Sequence, residues 1–157
     1  MDGAHPIERC YDVTHRTLKA VFDELDDHGV DLRGMVLKPN MVLSGKDAAD
    51  RASADQVAMA TVCCFETIVP AAVPGIAFLS GGQQDEESVV NLDAINRTGA
   101  ARNAAWELTF SYGRGLQAAP LDAWRGDAAR VPAAQDAFKQ RLEACSAARE
   151  GRYRAGA

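Results

Sequence analysis

Three apolar segments, each flanked by helical patterns, constrain the fold of this chain more than any other feature. They span residues 35–38, 76–79 and 108–111. Their apolar residues run together and do not alternate with polar ones, as is typical of parallel strands that are covered on both faces. Parallel strands need a long crossover connection, and the helical patterns between these segments supply one. The sequence therefore predicts an α/β fold with the order αβαβαβα.

Capping signals and a 3.6-residue period predict the helices around these strands. The predicted helices are 6–28, one of about fifteen residues after a capping box at Ser53 and Gln56, 85–96, a short one ending at Trp124, and one after Pro132. The expected core-facing residues are Leu18, Val21, Phe22 and Leu25 in the first helix, and Phe138, Leu142 and Cys145 in the last.

The length of 157 residues limits how much of such a fold the chain can contain. It suffices for one compact domain, whereas a complete eight-stranded βα barrel usually needs about 250 residues. We therefore expect residues 1–157 to form a single domain and any barrel to be partial. Residues 149–157 are expected to be a frayed tail, and the Ala-rich stretches at 99–105 and 127–134 to be surface segments.

Composition excludes several classes of function. A net charge of −5 with dispersed Lys and Arg argues against nucleic-acid and anionic-membrane surfaces. The amino terminus lacks the apolar centre of a signal peptide, and no apolar run approaches 18 residues. The four cysteines form no C-x-x-C pair and have no histidine at metal-ligand spacing, which disfavours a zinc site, and nothing indicates disulfides. These features predict a cytoplasmic protein without a metal.

Lys38 ends the first apolar segment, at the strand end where sites form in parallel α/β folds. One interpretation is a lysine that extends from the strand end into solvent. The other is a nucleophilic amine, because desolvation and nearby cations lower a lysine pKa and permit Schiff-base formation with a carbonyl.

Glycine-containing turns follow the other two apolar segments. One interpretation of the Ser80-Gly81-Gly82 turn is a flexible loop. The other is an anion site, in which backbone N–H groups and the amino terminus of the next helix face the ligand. In Tyr112-Gly113-Arg114, an arginine at a helix start opposes the helix dipole, and an anionic partner would relieve that opposition. Its forked guanidinium suits phosphate oxygens. Together the two turns favour a phosphorylated ligand.

Five segments resemble class I fructose-bisphosphate aldolases in the same order and with similar spacing. They are LKPNMV at 37–42, TIVPAAVPG at 67–75, FLSGGQ at 78–83, NLDAIN at 91–96 and LTFSYGR at 108–114. The resemblance extends over residues 7–153. It implies a partial TIM (β/α)8 barrel made of about the last three βα units and a carboxyl-terminal helix.

The resemblance also implies an activity and the residues that carry it. Family members are lyases of glycolysis and gluconeogenesis that reversibly cleave fructose 1,6-bisphosphate to dihydroxyacetone phosphate and glyceraldehyde 3-phosphate. By resemblance, Lys38 is the Schiff-base lysine, whereas Ser80, Gly81, Gly113 and Arg114 hold a substrate phosphate. No cofactor or metal is implied, because the iminium takes the electrons that a metal ion would otherwise accept.

The resemblance also implies that parts of the site are missing. In the family, a V-E-P-E-type segment with the acid/base glutamates comes directly before the segment that begins here at Asp2. A second lysine, an aspartate and an extended carboxyl-terminal tail are also missing, and residues 97–105 form a slightly longer stretch. The chain is therefore expected to be a truncated form with little activity of its own, and Lys38 to be less shielded from water than in a closed barrel.

Two alternatives stay open. One is a catalytically silent α/β fragment that binds a sugar phosphate or self-associates, and the other is a different lysine-dependent sugar-phosphate aldolase. Open sheet edges and apolar surface also predict a homo-oligomer or association through the barrel edges.

Overall fold

A computed structural model describes residues 2–154 of the chain. The elements are α1 (Ile7–Asp27), β1 (Val36–Leu37), α2 (Ala54–Glu66), β2 (Gly75–Phe78), α3 (Asp85–Ala101), β3 (Glu107–Phe110), α4 (Arg114–Trp124) and α5 (Val131–Arg149). One-turn 3₁₀ helices at Leu32–Gly34 and Ala128–Arg130 precede β1 and α5. The predicted alternation of helices and strands is confirmed, and each strand begins or ends within two residues of its expected bounds.

The three strands form one parallel sheet in the order β1-β2-β3. Leu37 lies opposite Ile76, which in turn lies opposite Leu108. Backbone hydrogen bonds continue beyond the strands, since Leu79 N donates to Pro39 O at 3.0 Å and Ser111 N donates to Phe78 O at 2.8 Å. The chain segments after all three strands therefore stay together at one edge of the sheet.

The two faces of the sheet differ in burial. Leu37, Ile76, Phe78 and Leu108 are buried against the helices, whereas Val36, on the other face of β1, is 62% exposed. The prediction that both faces are covered is therefore wrong for this chain. The strands lie across the sheet in the same order as in the chain. Right-handed crossovers between them therefore place all connecting helices on one side of the sheet.

The core forms between that covered face and the helices. The Phe65 ring of α2 stacks on Phe78 of β2, with ring centroids 5.8 Å apart. The predicted capping box opens α2, since Ser53 Oγ accepts from Gln56 N and Gln56 Oε1 accepts from Ser53 N. These contacts fix the connection from β1 to β2.

Three details of the predicted helices are wrong. In α1, Leu18 and Phe22 are buried but Val21 is 40% exposed, so the core-facing stripe is narrower than the sequence suggested. Phe138 of α5 is likewise 40% exposed, although Cys145 is fully buried. Helix α3 continues to Ala101, beyond the expected end at residue 96, because Gly99 lets it pass close to Leu108 of β3.

The segment after α5 contacts the rest of the chain. Tyr153 N donates to Asp93 Oδ1 at 2.8 Å, and the Tyr153 hydroxyl hydrogen-bonds to Glu86 at 2.7 Å. The expected fraying of the tail includes residues 155–157, which lie outside the described residues. Within residues 2–154, none of the helices has the length and apolar character needed to cross a membrane.

Candidate active site

The segment after β2 is a tight turn from Ser80 to Gln83. Gln83 N donates to Ser80 O at 3.1 Å, and both central residues, Gly81 and Gly82, have positive φ angles of 58° and 82°. Residues other than glycine rarely adopt positive φ angles at two successive positions. The Gln83 side chain also donates to Ser80 O, and Asn91 Nδ2 donates to Gln83 Oε1 at 2.7 Å. The glycine pair therefore forms a defined turn and not a flexible loop.

The first turn of α4 packs directly against this glycine turn. A Cβ atom on Gly115 would lie 3.3 Å from Ser80 Cβ and 3.5 Å from Ser80 Oγ. The absence of a side chain at Gly115 lets the two segments approach this closely without displacing Ser80. The buried Ser80 side chain is therefore held beside the amino terminus of α4, where backbone N–H groups lack partners within the helix.

Arg114 closes the other side of the same space. Its Nη2 atom is 3.6 Å from the position that a Cβ on Gly82 would occupy. The side chain is exposed, and the ion pairs found within residues 2–154 do not include it. Gly113 precedes it as the residue before α4, and a Cβ there would meet nothing within 4 Å. We use the name phosphate cradle, after the ligand that the sequence predicts, for Ser80, Gly81, Gly82, Gly113 and Arg114.

Lys38 lies beside the cradle, one strand away. It follows the last residue of β1, and continuing the register of β1 and β2 places it next to Ala77 on the less covered face. Neighbouring strands are about 4.8 Å apart. The side chain is exposed. The expectation of a lysine that is accessible to water therefore agrees with its position.

A cavity of about 470 Å³ adjoins these strand ends. It lies between the first turns of α1, the segment after β1 and the end of β2, and its lining includes His5, Arg9, Cys10, Asn40, Leu79 and Gly81. Pockets for small molecules typically measure about 300–1,000 Å³. Because Gly81 lines the cavity and also belongs to the cradle, the cavity opens beside the cradle.

The fold and this site can be compared with known proteins. The family profile described as fructose-bisphosphate aldolase class-I matches residues 1–157. The chain belongs to the class I fructose-bisphosphate aldolase family.

Individual relatives of this aldolase chain agree with the family match. Mouse fructose-bisphosphate aldolase B and human fructose-bisphosphate aldolase B are each 49% identical over 152 residues, which is 97% of this chain and 41% of the relative. The aldolase chain in a crystal structure from Plasmodium falciparum, solved with TRAP and a small molecule inhibitor, aligns with a TM-score of 0.93. That alignment is 45% identical and covers 99% of this chain and 44% of the neighbour.

The predicted partial TIM barrel is confirmed, because the three βα units of this chain superpose on an aldolase barrel. The chain spans about two fifths of the length of the curated relatives it matches.

Sequence reasoning missed the residues that hold the cradle in shape. Tyr112, Ser88 and Arg141 connect its two turns through hydrogen bonds. Burial, and to a smaller extent the nearby Cys145 thiol, raises the pKa of Tyr112, so its hydroxyl stays protonated and donates to Ser88 O. The three residues are separated by 24 or more positions, and no local motif indicates that they meet.

Proposed function

We propose that this chain supplies the covalent and phosphate-binding parts of fructose-bisphosphate aldolase chemistry, the reversible cleavage of fructose 1,6-bisphosphate to two triose phosphates. The single observation that carries the proposal is the convergence of Lys38 and the phosphate cradle at one edge of the sheet. A ketose phosphate has a carbonyl and a phosphate a few bonds apart, so one ligand can reach both.

The proposed chemistry begins with the neutral Lys38 amine. Its Nζ atom attacks the ketone carbon, and the carbinolamine loses water to give an iminium. When the bond between the α- and β-carbons of the ketose breaks, the β-hydroxyl loses its proton to a base and becomes an aldehyde, while the iminium accepts the electron pair and becomes an enamine. Lys38 supplies the amine for this chemistry, and the cleavage step also needs that base.

The cradle's contribution is to hold the ligand in that position. Backbone N–H groups at the start of α4 and the Ser80 hydroxyl can donate to phosphate oxygens, and Arg114 can donate through its fork. A phosphate fixed there reduces the freedom of the attached carbonyl and brings it near Lys38. Such positioning accounts for a large part of the acceleration when two reacting groups are held together.

Borohydride trapping tests this proposal. The protein is incubated with dihydroxyacetone phosphate and sodium borohydride, which reduces an iminium to a stable secondary amine, and the adduct is mapped by peptide mass spectrometry. We expect the adduct on Lys38, with little on Lys46, which is exposed and ion-paired to Asp2. An unmodified Lys38 alongside labelled surface lysines would contradict the proposal.

A second candidate function is binding of a sugar phosphate without turnover. The observation that favours it is the contrast between a cradle that is complete within the chain and a Lys38 side chain that is exposed. A coupled assay of fructose 1,6-bisphosphate cleavage separates the two functions. Binding and trapping with no cleavage supports the second, and measurable cleavage supports the first.

The sheet also suggests how the chain associates. We propose homo-oligomers or other association through the edges of β1 and β3 and the exposed face around Val36. Sedimentation velocity at several concentrations tests this, with Val36→Lys as the variant that should shift the protein toward monomer. We further propose that the protein functions in the cytoplasm, which suits its four free cysteines.

A further inference from the structure

Arg141 of α5 lies outside the phosphate cradle, yet it connects the two helices that begin there. Its Nε atom donates to Gly115 O at 3.0 Å, and its Nη2 atom donates to Asp85 O at 3.0 Å. Gly115 is in the first turn of α4, and Asp85 is the first residue of α3. The Arg141 side chain is only 13% exposed. One buried guanidinium therefore fixes the distance between two helix starts.

The hydrogen bonds around Asp85 extend this connection to the other cradle turn. Ser88 Oγ donates to Asp85 O at 2.8 Å, so this carbonyl accepts from both Ser88 and Arg141. The Tyr112 hydroxyl donates to Ser88 O at 2.9 Å. Tyr112 directly precedes Gly113 and Arg114, so the hydrogen bonds run from α5 through α3 back to the second cradle turn.

The charge of Arg141 also has an unusual location. Helix amino termini carry partial positive charge, and a cation beside two of them is electrostatically unfavourable. The nearest carboxylate contact is Asp85 Oδ2 at 3.7 Å, which is longer than the bonds to the two carbonyls. This long ion pair and the two hydrogen bonds to carbonyls offset part of the cost of holding the charge in a largely buried position. An anion bound in the cradle would supply an opposite charge on the far side of the same two helix starts.

We propose that Arg141 is a positioning residue for the phosphorylated ligand: it holds the starts of α3 and α4 at the spacing the phosphate needs and contributes positive potential behind it. This inference rests on the proposed function of the cradle as a phosphate site. It adds a residue from α5, which itself contacts neither the phosphate nor Lys38.

Two substitutions separate the geometric role from the electrostatic one. Arg141→Lys keeps the charge but loses the fork that reaches two carbonyls at once. Arg141→Gln loses both. Arg97→Gln is the matched control, because Arg97 also donates through Nε to a buried partner, Asp93, at 2.8 Å, but lies in the carboxyl-terminal half of α3, away from the cradle.

Calorimetric titration with inorganic phosphate, together with thermal unfolding, tests the proposal on the full chain. We expect Arg141→Lys to weaken phosphate binding about tenfold and Arg141→Gln to weaken it further, in line with the loss of charge-assisted hydrogen bonds. Arg97→Gln should lower the melting temperature but leave phosphate affinity unchanged. Borohydride trapping of dihydroxyacetone, which has no phosphate, should be the same in Arg141→Lys and wild type.

Each outcome tests a different part of the proposal. Phosphate binding by wild type that is unchanged in Arg141→Lys would overturn the role of Arg141 and leave the cradle intact. An equal loss of affinity in Arg97→Gln would show a general structural effect and would also overturn it. Failure of wild type to bind phosphate would overturn the cradle itself and this inference with it. If Arg141→Gln does not fold, Arg141→Lys decides.

Discussion

The phosphate cradle and the strand that carries Lys38 lie at the same edge of one sheet but differ in how they are supported. The cradle is built from two turns that pack on each other, and Arg141, Ser88 and Tyr112 hold it from behind. Lys38 follows β1, a two-residue strand at the edge of the sheet. Val36, the first residue of this strand, is 62% exposed. Packing and hydrogen bonds therefore hold the cradle residues in place, whereas Lys38 is open to water. We therefore expect phosphate affinity and covalent reactivity to respond separately to mutation.

The largest expected effect comes from Lys38→Arg. Arginine keeps the charge but does not form a Schiff base under these conditions, so trapping of dihydroxyacetone phosphate should fall to background. Phosphate affinity should change little, because the cradle belongs to other strands. Peptide mass spectrometry and calorimetry on the same samples measure both properties, with Lys46→Arg as the control. Retained trapping at another lysine would show that Lys38 is not the amine that forms the adduct.

Arg114→Ala should weaken phosphate binding by roughly 10- to 100-fold, the usual range for lost charge-assisted hydrogen bonds. Trapping of dihydroxyacetone at Lys38 should be unaffected, since that ketone carries no phosphate. Arg33→Ala is a suitable control because Arg33 is ion-paired to Asp31 on the surface, and the calorimetric titration described above measures the affinity. Unchanged phosphate affinity in Arg114→Ala would remove Arg114 from the cradle.

A smaller effect is expected from Gly115, the glycine that follows Arg114. The Cβ of Gly115→Ala would lie 3.3 Å from Ser80 Cβ and must displace one cradle turn by a few tenths of an ångström. We expect a loss of phosphate affinity of about threefold. Gly34→Ala is the matched control, because Gly34 lies outside the cradle and its Cβ meets nothing within 4 Å. Equal affinities for the two variants would show that the packing of α4 on Ser80 does not matter for binding.

The smallest effect concerns stability at alkaline pH. Burial raises the pKa of the Cys64 thiol to about 11 from 9.0, and burial also raises the pKa of Cys145 and Tyr112. The folded state therefore holds these protons more tightly than the unfolded state. The Cys64 contribution to stability is complete below pH 9 and is lost as pH rises through 11.

Urea unfolding between pH 8 and 10.5 measures this loss. The midpoint should fall progressively above pH 9 for wild type and less steeply for Cys64→Ala. A midpoint that is constant with pH would contradict the assigned burial of these groups.

The features that the sequence could predict depend on local patterns. The continuous apolar segments, the capping box at Ser53 and Gln56, and the glycine pair after β2 each have short-range signatures, and all appear in the structure. Parallel strands end at a common edge, and this rule alone placed Lys38 and the cradle near each other.

The features that it could not predict depend on distant contacts. Arg141 meets Gly115 and Asp85 across 26 and 56 positions, and no residue beside it suggests those partners. Val21 and Phe138 fit a helical stripe but are exposed, because a stripe does not show how far the packed neighbour extends. Whether the second face of the sheet is covered depends on which other segments pack against it. The apolar strand segments alone do not reveal this.

The central claim is that Lys38 and the phosphate cradle form one site. Competitive borohydride trapping with equal low concentrations of dihydroxyacetone phosphate and dihydroxyacetone tests it most directly. We expect Lys38 to carry mainly the phosphorylated adduct and added inorganic phosphate to remove this preference. Equal labelling by the two ketones, or a preference that inorganic phosphate does not change, would contradict it.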